Sequence, residues 1–192
     1  MGGVDTYRQV MEEWDPELAD HAARVAAHAE AIAHRLGWTR GQIETLRLGA
    51  VLHDVGKVSI RASVLAKPGS LDPAELAEMR THPVEGLWLI IGMPALAPAL
   101  PYVLFHHERW DGSGYPTRRR GTDIPIEGRV LAVADAFDAM TTDRPYRPAM
   151  SIDEAVEELH LGAGSQFDPQ VTQALLDVVR SGAHGVPALA VA

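Results

Sequence analysis

Apolar positions along this chain recur at helical spacing, and no stretch alternates with the period of two that a strand requires. In the segment 17–36, for example, Val25, Ile32 and Leu36 follow a helical period, and Gly37 ends the run. The same pattern predicts helices over 40–53, from 73 to about 83, over 126–141, after 151 and over 169–180. Four of these helices follow an N-cap signal, at Thr39, Asp72, Ser151 and Asp168. The pattern therefore indicates successive helices joined by breaks.

The segment 86–105 contains no charged residue and is long enough to be considered as a membrane span. Pro94, Pro98 and Pro101 interrupt it, and prolines in lipid would free backbone groups that nothing satisfies. We therefore expect a buried, broken pair of helices here and no contact with a membrane. This apolar stretch could also contribute to an interface between subunits.

Composition indicates a single globular domain and excludes several classes of site. The 192 residues are 46% hydrophobic and 22% charged. The absence of cysteine excludes disulfides, thiolate metal sites and cysteine nucleophiles, and it suits a cytoplasmic protein. Residues 1–13 lack the apolar stretch of a secretory signal. The net charge of −9 argues against binding to duplex nucleic acid, although bound metal ions could still attract a phosphate ligand.

The candidate chemistry comes from imidazoles and carboxylates. His53 and Asp54 stand at one predicted helix end, His106 and His107 stand at another, and Asp135 interrupts an apolar run. Each histidine taken alone could be a surface or packing residue. A carboxylate on a largely buried helix needs a partner, because uncompensated burial of a charge is costly, and a metal ion is one such partner. Nitrogen and oxygen ligands without sulfur suit Fe, Mn, Zn, Ni or Co.

The order of these residues resembles the HD-GYP family, the branch of the HD superfamily that is similar to cyclic di-GMP phosphodiesterases. A lone His-Asp pair would be weak support, whereas this ordered set of motifs covers about residues 15–180. The motifs, in chain order, are His21, then His53-Asp54-Val55-Gly56-Lys57, His82-Pro83, the run from His106-His107-Glu108 to Gly114-Tyr115-Pro116, Asp135 with the following Ala-Phe-Asp-Ala-Met, and Gly162 to Pro169.

The resemblance implies an all-α, HD-type helical bundle with a metal centre in its core. It divides the chain into a lead-in over 1–14, a catalytic domain over 15–180 and a tail over 181–192. The centre would hold two or three divalent ions, most often Fe or Mn, with Zn, Ni or Co as alternatives. Glu17 lies one turn before His21 and would provide for a third ion; otherwise it is a solvated residue that suits the helix dipole. The implied ligands are Glu17, His21, His53, Asp54, His82, His106, His107 and Asp135.

The same resemblance implies roles beyond the ligands. Asp54 would bridge two ions, and Lys57 would contact a phosphate oxygen or the bridging solvent. Tyr115 would stack on a guanine or hold its loop shut. Arg144 and Arg147 match positions that contact phosphate and base, for which the arginine side chain is suited. The residues expected to orient the histidines or brace the loop are Glu108, Asp111, Gly112, Gly114 and Pro116.

The implied function is that of a metal-dependent phosphodiesterase in bacterial second-messenger signalling. It would open cyclic di-GMP to the linear dinucleotide pGpG, and a third ion could carry the reaction on to GMP. Two cations would clamp the phosphodiester and lower the pKa of water from 15.7 to about 7. One alternative is a weakly active module that binds a cyclic dinucleotide or a signalling protein such as a diguanylate cyclase domain. The other is an HD hydrolase acting on a different nucleotide.

Many members of this family carry a receiver or sensor domain ahead of the catalytic part. Here about 15 residues precede the match. We therefore expect either that separate partners regulate the protein or that the chain is a fragment of a longer one.

Overall fold

The protein is described by a computed structural model that covers residues 16–143 and 148–182. Within these ranges the chain is helical and has no β-strand, apart from an isolated bridge between Ala163 and Phe167. The prediction of an all-α fold is confirmed. The helices are α1 (Pro16–Arg35), α2 (Arg40–Leu52), α3 (Ala62–Leu65), α4 (Pro73–Met79), α5 (His82–Ile90), α6 (Leu100–Phe105), α7 (Ile126–Thr141), α8 (Ile152–Gly162) and α9 (Pro169–Arg180).

Several sequence predictions lie outside the described residues. The lead-in over 1–14 and most of the tail over 181–192 are among them, so the domain limits stay a prediction. Arg144 and Arg147 also fall outside the described ranges.

Side-chain caps explain why four of the helices begin where the sequence predicts. Thr39, Asp72 and Ser151 each form a complete capping box with the residue three positions later. Asp168 caps α9 by accepting from the backbone N–H groups of Gln170 and Val171. Because a cap satisfies N–H groups that lack a partner in the first turn, it fixes the start of a helix. The predicted bounds of α7 and α9 agree with the structure to the residue.

The region around His82 differs from its prediction. The helix expected to run from Pro73 to about Pro83 ends at Met79. His82 then opens α5, and Pro83 occupies its first turn, where a proline removes no needed hydrogen bond. The proline therefore starts a new helix, and this places the buried His82 side chain at the N-terminal end of α5.

The apolar segment 86–105 is broken, as predicted, but it is only partly buried. A short 3₁₀ turn, Ala97–Ala99, separates the region after α5 from α6. Val103 of α6 is fully buried, whereas Trp88 is 66% exposed and Ile91 and Met93 are each 50% exposed. The expectation of burial was therefore wrong for Trp88 of α5 and for Ile91 and Met93 after it. No helix in the described ranges combines the length and the apolar character that crossing a membrane requires.

The main core joins α1 and α2 to α7, α8 and α9. Val25 and Ile32 of α1, Leu131 of α7 and Leu175 of α9 are at most 1% exposed. A smaller apolar cluster packs the end of α2 against α6 and the turn before it. Burial of these faces is the main stabilising term, and it sets where the polar ends of the helices meet.

Candidate metal centre

Imidazole and carboxylate groups from α1 and α5 and from the residues directly after α2 and α6 converge beside the core. One group of possible ligands consists of Asp54, His82, His106 and His107, and another consists of His21, His53 and Asp54. Within each group the ligand atoms lie within 4.8 Å of one another, and Asp54 belongs to both. The structure therefore brings six predicted ligands together as two adjoining sets that share one carboxylate.

A close approach between two turns makes this convergence possible. His53 is the C-cap of α2, and a 3₁₀ turn, Val55–Ser59, follows Asp54 directly. A Cβ atom on Gly56 would lie only 1.9 Å from the carbonyl oxygen of His82. Glycine at this position therefore lets the turn after α2 touch the first turn of α5, which brings Asp54 to within 3.3 Å of the His82 ring.

Backbone carbonyl groups fix the tautomers of three histidines. In His53, His82 and His106, Nδ1 donates to the carbonyl oxygen three residues earlier, over 2.7, 2.8 and 2.9 Å respectively. A carbonyl oxygen can only accept, so Nδ1 carries the proton and the neutral ring keeps a lone pair on Nε2. These Nε2 lone pairs are the ligands that a metal ion needs.

Several buried nitrogen and oxygen acceptors of the site lack a hydrogen-bond donor. Such unpaired acceptors are what we expect of residues that bind a metal ion. Nε2 of His82 and Nε2 of His106 lie 3.2 Å apart. Burial holds the pKa of His106 well below its usual value and lowers that of His107 to about 4, so both rings are neutral at pH 7. Among the described residues, Nε2 of His53 and Oδ1 of Asp54 have no hydrogen-bond partner. Divalent cations would satisfy all of these lone pairs, and the residues fit a metal centre.

Asp54 lies between the two sets of possible ligands. Its Oδ2 lies 3.3 Å from Nε2 of His53, and its Oδ1 lies 3.3 Å from Nε2 of His82. The ammonium group of Lys57 donates to Oδ2 over 2.5 Å. Burial raises the pKa of Asp54, but nearby positive charge, including the ammonium group of Lys57, outweighs it and holds that pKa well below its usual range. The carboxylate is therefore ionised and has one oxygen directed toward each set of ligands.

Beside His21, the centre is bordered by two carboxylates of α7, those of Asp135 and Asp138. Nε2 of His21 lies 3.3 Å from Oδ1 of Asp135, and Nδ1 of His21 lies 2.7 Å from Oδ2 of Asp138. Burial lowers the pKa of His21, but the two carboxylates outweigh it and raise the pKa to about 9. Asp138 was not among the predicted site residues. Its spacing of three residues from Asp135, which places both on one helix face, was the signal available.

Two predicted ligands lie outside both sets. Asp135 lies on the largely buried helix α7, as predicted, and its side chain is 22% exposed beside His21. Glu17 is exposed in the first turn of α1, where a carboxylate also suits the helix dipole. The role of Glu17 as a ligand for a third ion stays a prediction.

Glu108 and Gly114 hold the loop after α6 against the centre. Oε1 of the buried Glu108 accepts from the backbone N–H and hydroxyl of Thr117 and from the backbone N–H of Arg118, over 2.6–3.0 Å. A Cβ atom on Gly114 would lie 2.3 Å from the Arg109 nitrogen, so the loop could not close on itself with a larger residue. The ring of Tyr115 then stacks on that of His107, with centroids 4.9 Å apart.

The exposed side of this loop is braced separately. Asp111 accepts from the backbone N–H and the hydroxyl of Ser113, and Arg109 lies 3.3 Å from its second oxygen. Gly112 adopts a φ of 83°, in the left-handed region that favours glycine. Pro116 follows Tyr115 through a cis peptide bond.

A cavity of about 450 Å³ opens beside the centre. Its lining includes His107, Tyr115 and Asp135 together with Glu158 and Phe167. The volume lies within the range of small-molecule sites. A ligand bound at the metal centre would therefore have room for an adjoining group in this cavity.

Comparisons with known proteins identify the family. The HD domain family model matches residues 5–171. A 3′3′-cGAMP-specific phosphodiesterase of Vibrio cholerae is 39% identical over 163 residues, which cover 84% of this chain and 31% of that protein. A cyclic di-GMP phosphodiesterase of Thermotoga maritima is 36% identical over 175 residues, which cover 90% of this chain and 48% of that protein. The chain thus spans about a third to a half of the length of these curated relatives.

Solved structures agree with this assignment. An HDG"Y"P protein from Bdellovibrio bacteriovorus superposes with a TM-score of 0.70 at 25% identity, covering 85% of this chain and 52% of that one. The convergent His-Asp centre, the loop around Tyr115 and these matches lead to one conclusion. The chain belongs to the HD domain family, and within it to the HD-GYP branch.

Proposed function

We propose that this chain is a metal-dependent phosphodiesterase that hydrolyses cyclic di-GMP to pGpG in bacterial second-messenger signalling, and that it carries the reaction on to GMP if a third ion is bound. The observation that carries this proposal is the position of Asp54, whose carboxylate is shared by two adjoining sets of ligand atoms. A pair of ions bridged by one carboxylate is a common arrangement for cleavage of phosphate esters. The names of the relatives support cyclic dinucleotides as the class of substrate.

Two adjacent divalent cations, when bound, supply Lewis acidity to a phosphodiester and make a water molecule acidic enough to ionise. We assign Fe or Mn to the site, with Zn, Ni or Co as alternatives, because imidazole and carboxylate ligands suit all of them. A third ion would require Glu17. The proposed ligands are Glu17, His21, His53, Asp54, His82, His106, His107 and Asp135.

The residues of the chain itself bind and orient the substrate. Lys57 is 30% exposed while its ammonium group contacts Asp54, so its positive charge lies at the edge of the centre, where a phosphate oxygen would accept from it. Tyr115 covers His107 with one ring face, and the guanidinium of Arg80 lies 5.5 Å from the ring centroid. These contacts favour a role for Tyr115 in holding the loop shut. Arg144 and Arg147 are proposed as phosphate and base contacts.

The loop around Tyr115 is also the surface that we propose for a signalling partner such as a diguanylate cyclase domain. The absence of cysteine suits the reducing cytoplasm, where we propose that the protein acts.

A module that only binds nucleotide is less well supported, because the described residues include every histidine and aspartate that the family motif requires.

A second candidate substrate is 3′3′-cGAMP. The relative named for this specificity is 39% identical to the chain, slightly more than the cyclic di-GMP phosphodiesterase of Thermotoga maritima at 36%. The two substrates differ in one purine base, so the cavity beside the centre rather than the ligands would distinguish them.

The decisive experiment measures hydrolysis of both cyclic dinucleotides by protein loaded with Fe(II) or Mn(II), with chromatographic identification of pGpG and GMP. We expect cyclic di-GMP to have the higher kcat/KM, and Asp54→Ala to abolish turnover while the circular dichroism stays helical. Normal hydrolysis by the Asp54→Ala variant would show that the paired-ion mechanism is wrong. Binding of cyclic di-GMP without turnover by fully metal-loaded protein would identify a binding module instead.

A further inference from the structure

The carboxylate of Asp138 connects two side chains of α1 to the edge of the metal centre. Its Oδ2 accepts from Nδ1 of His21 over 2.7 Å, and its Oδ1 accepts from Nε of Arg24 over 2.6 Å. The hydroxyl of Thr142 lies 3.3 Å from the same Oδ1. The Asp138 side chain is only 2% exposed, so water contributes little to its hydrogen bonding. The three contacts together hold the carboxylate in one orientation.

The hydrogen bond from Asp138 distinguishes His21 from the other imidazoles of the centre. His53, His82 and His106 each donate Nδ1–H to a neutral backbone carbonyl. His21 donates Nδ1–H to a carboxylate, and a carboxylate makes the opposite nitrogen a stronger ligand than a carbonyl does. The two ligand sets are therefore electronically unequal, although they share Asp54.

We propose that Asp138 is a positioning residue for His21, and that Arg24, by orienting Asp138, helps to set the affinity of the ion bound by His21, His53 and Asp54. The inference rests on the proposed function only in taking the centre to hold metal. The ion on the side of His82, His106 and His107 does not depend on Asp138, because those rings are oriented by backbone carbonyls or by neighbouring rings.

An amide cannot replace this carboxylate. In an Asp138→Asn variant the side chain would have one oxygen for two donors, since both His21 and Arg24 direct an N–H group at it. If the amide N–H group faced His21, the ring would have to move its proton to Nε2, the nitrogen that faces the centre. If it faced Arg24, two donors would oppose each other in a buried site. Either arrangement weakens His21 as a ligand.

The test is a titration of metal-free protein with Mn(II), followed by calorimetry and by metal analysis after gel filtration. We expect the wild-type chain to retain at least two ions. We expect Asp138→Asn to bind one of them about 10–100-fold more weakly and to retain one ion fewer. The Co(II) absorption spectrum should lose the bands of one site and keep those of the other. Arg24→Gln should weaken the same ion by a smaller factor.

The matched control is Asp177→Asn. Asp177 also pairs with an arginine of α1, Arg35, but on the exposed surface between α1 and α9. This variant should bind Mn(II) as the wild type does. If Asp138→Asn does not fold, Arg24→Gln, which leaves the bond between Asp138 and His21 in place, decides the question.

Unchanged affinity for both ions in Asp138→Asn and Arg24→Gln would overturn the inference. Equal weakening of both ions would overturn it as well, because that result would show a general rather than a local effect. No nucleotide is present in this titration, so a failure to hydrolyse cyclic di-GMP would count against the proposed function alone.

Discussion

His82 and His106 direct their Nε2 atoms at each other across 3.2 Å, and neither atom carries a proton when both rings are neutral. Both rings donate Nδ1–H to a backbone carbonyl, which leaves the two lone pairs facing in a buried site. Without a cation this arrangement is repulsive, because two facing lone pairs repel each other and the low dielectric of the interior strengthens that repulsion. A metal ion between these rings would convert the repulsion into two ligand bonds.

Removal of metal should therefore destabilise the fold. Ligand binding at a concentration of about 100 times Kd contributes about 2.7 kcal/mol to the free energy of unfolding. For a domain of this size, the corresponding fall in Tm on chelation is roughly 5–10 °C. Differential scanning fluorimetry with EDTA, followed by readdition of Mn(II), measures it. The Asp54→Asn variant is the control and should show a much smaller metal-dependent shift. An equal Tm with and without metal in the wild type would contradict the prediction.

Loss of the Lys57 charge should reduce catalysis more than stability. Lys57→Met removes the ammonium group that contacts Asp54 and that we place on the substrate phosphate. We expect kcat for cyclic di-GMP to fall roughly 100-fold, with metal content unchanged. The matched control is Lys67→Met, because Lys67 makes a similar 2.5 Å contact with Glu75 away from the centre. A Lys57→Met enzyme with normal kcat would remove this residue from the mechanism.

Gly114→Ala should displace the loop that covers His107. The added methyl group would lie 2.3 Å from the Arg109 nitrogen and 2.6 Å from the Glu108 Cα, both of which are backbone atoms that cannot rotate away. We expect a loss of about 1–3 kcal/mol in the free energy of unfolding, with a lower kcat/KM. Gly41→Ala is the control, since no atom lies within 4 Å of that methyl position, and helix α2 should gain up to about 1 kcal/mol. Equal unfolding free energies for the two variants would contradict this account of the loop.

The stability that Asp111 contributes should disappear in acid. Hydrogen bonds from the hydroxyl and backbone N–H of Ser113, together with Arg109, lower the pKa of Asp111 from 3.8 to about 2. A carboxyl whose pKa is lowered by folding stabilises the fold above the unfolded pKa, and this contribution is lost as the pH falls toward the folded pKa. Relative to Asp111→Asn, the metal-free wild type should gain stability between pH 2 and pH 4 and then reach a plateau. Urea unfolding at several pH values measures the difference, and a gap that widens as the pH falls would refute it.

Helix positions could largely be predicted from the sequence, because local interactions determine them. The capping boxes at Thr39 and Ser151 involve residues three positions apart, and the side chain of Asp168 caps α9 in the same local way. Helix α7 begins after Pro125 without a side-chain cap. The boundary at His82 was predicted less well. Proline disfavours a helix before it but suits the first turn of one, and the sequence alone does not choose between these effects.

The exposure of Trp88 could not be predicted from hydrophobicity. A run of uncharged residues indicates which side chains would stabilise the fold if they were buried. The packing of α5 against its neighbours decides which of them are buried. The structure buries Ile90 and leaves Trp88 at the surface. One helix cannot bury all of its faces unless other elements surround it.

The sequence by itself determined which residues could form a metal centre, because imidazole and carboxylate chemistry and the order of the motifs are properties of the chain. Only the tertiary structure decided that the two sets of ligand atoms around Asp54 are each within 4.8 Å of one another and that His21 pairs with Asp138, 117 positions away. The physical reason is the sequence separation over which each kind of interaction acts. Hydrogen bonds within a helix act over three or four positions, whereas contacts between helices depend on how buried faces pack, which no local pattern specifies.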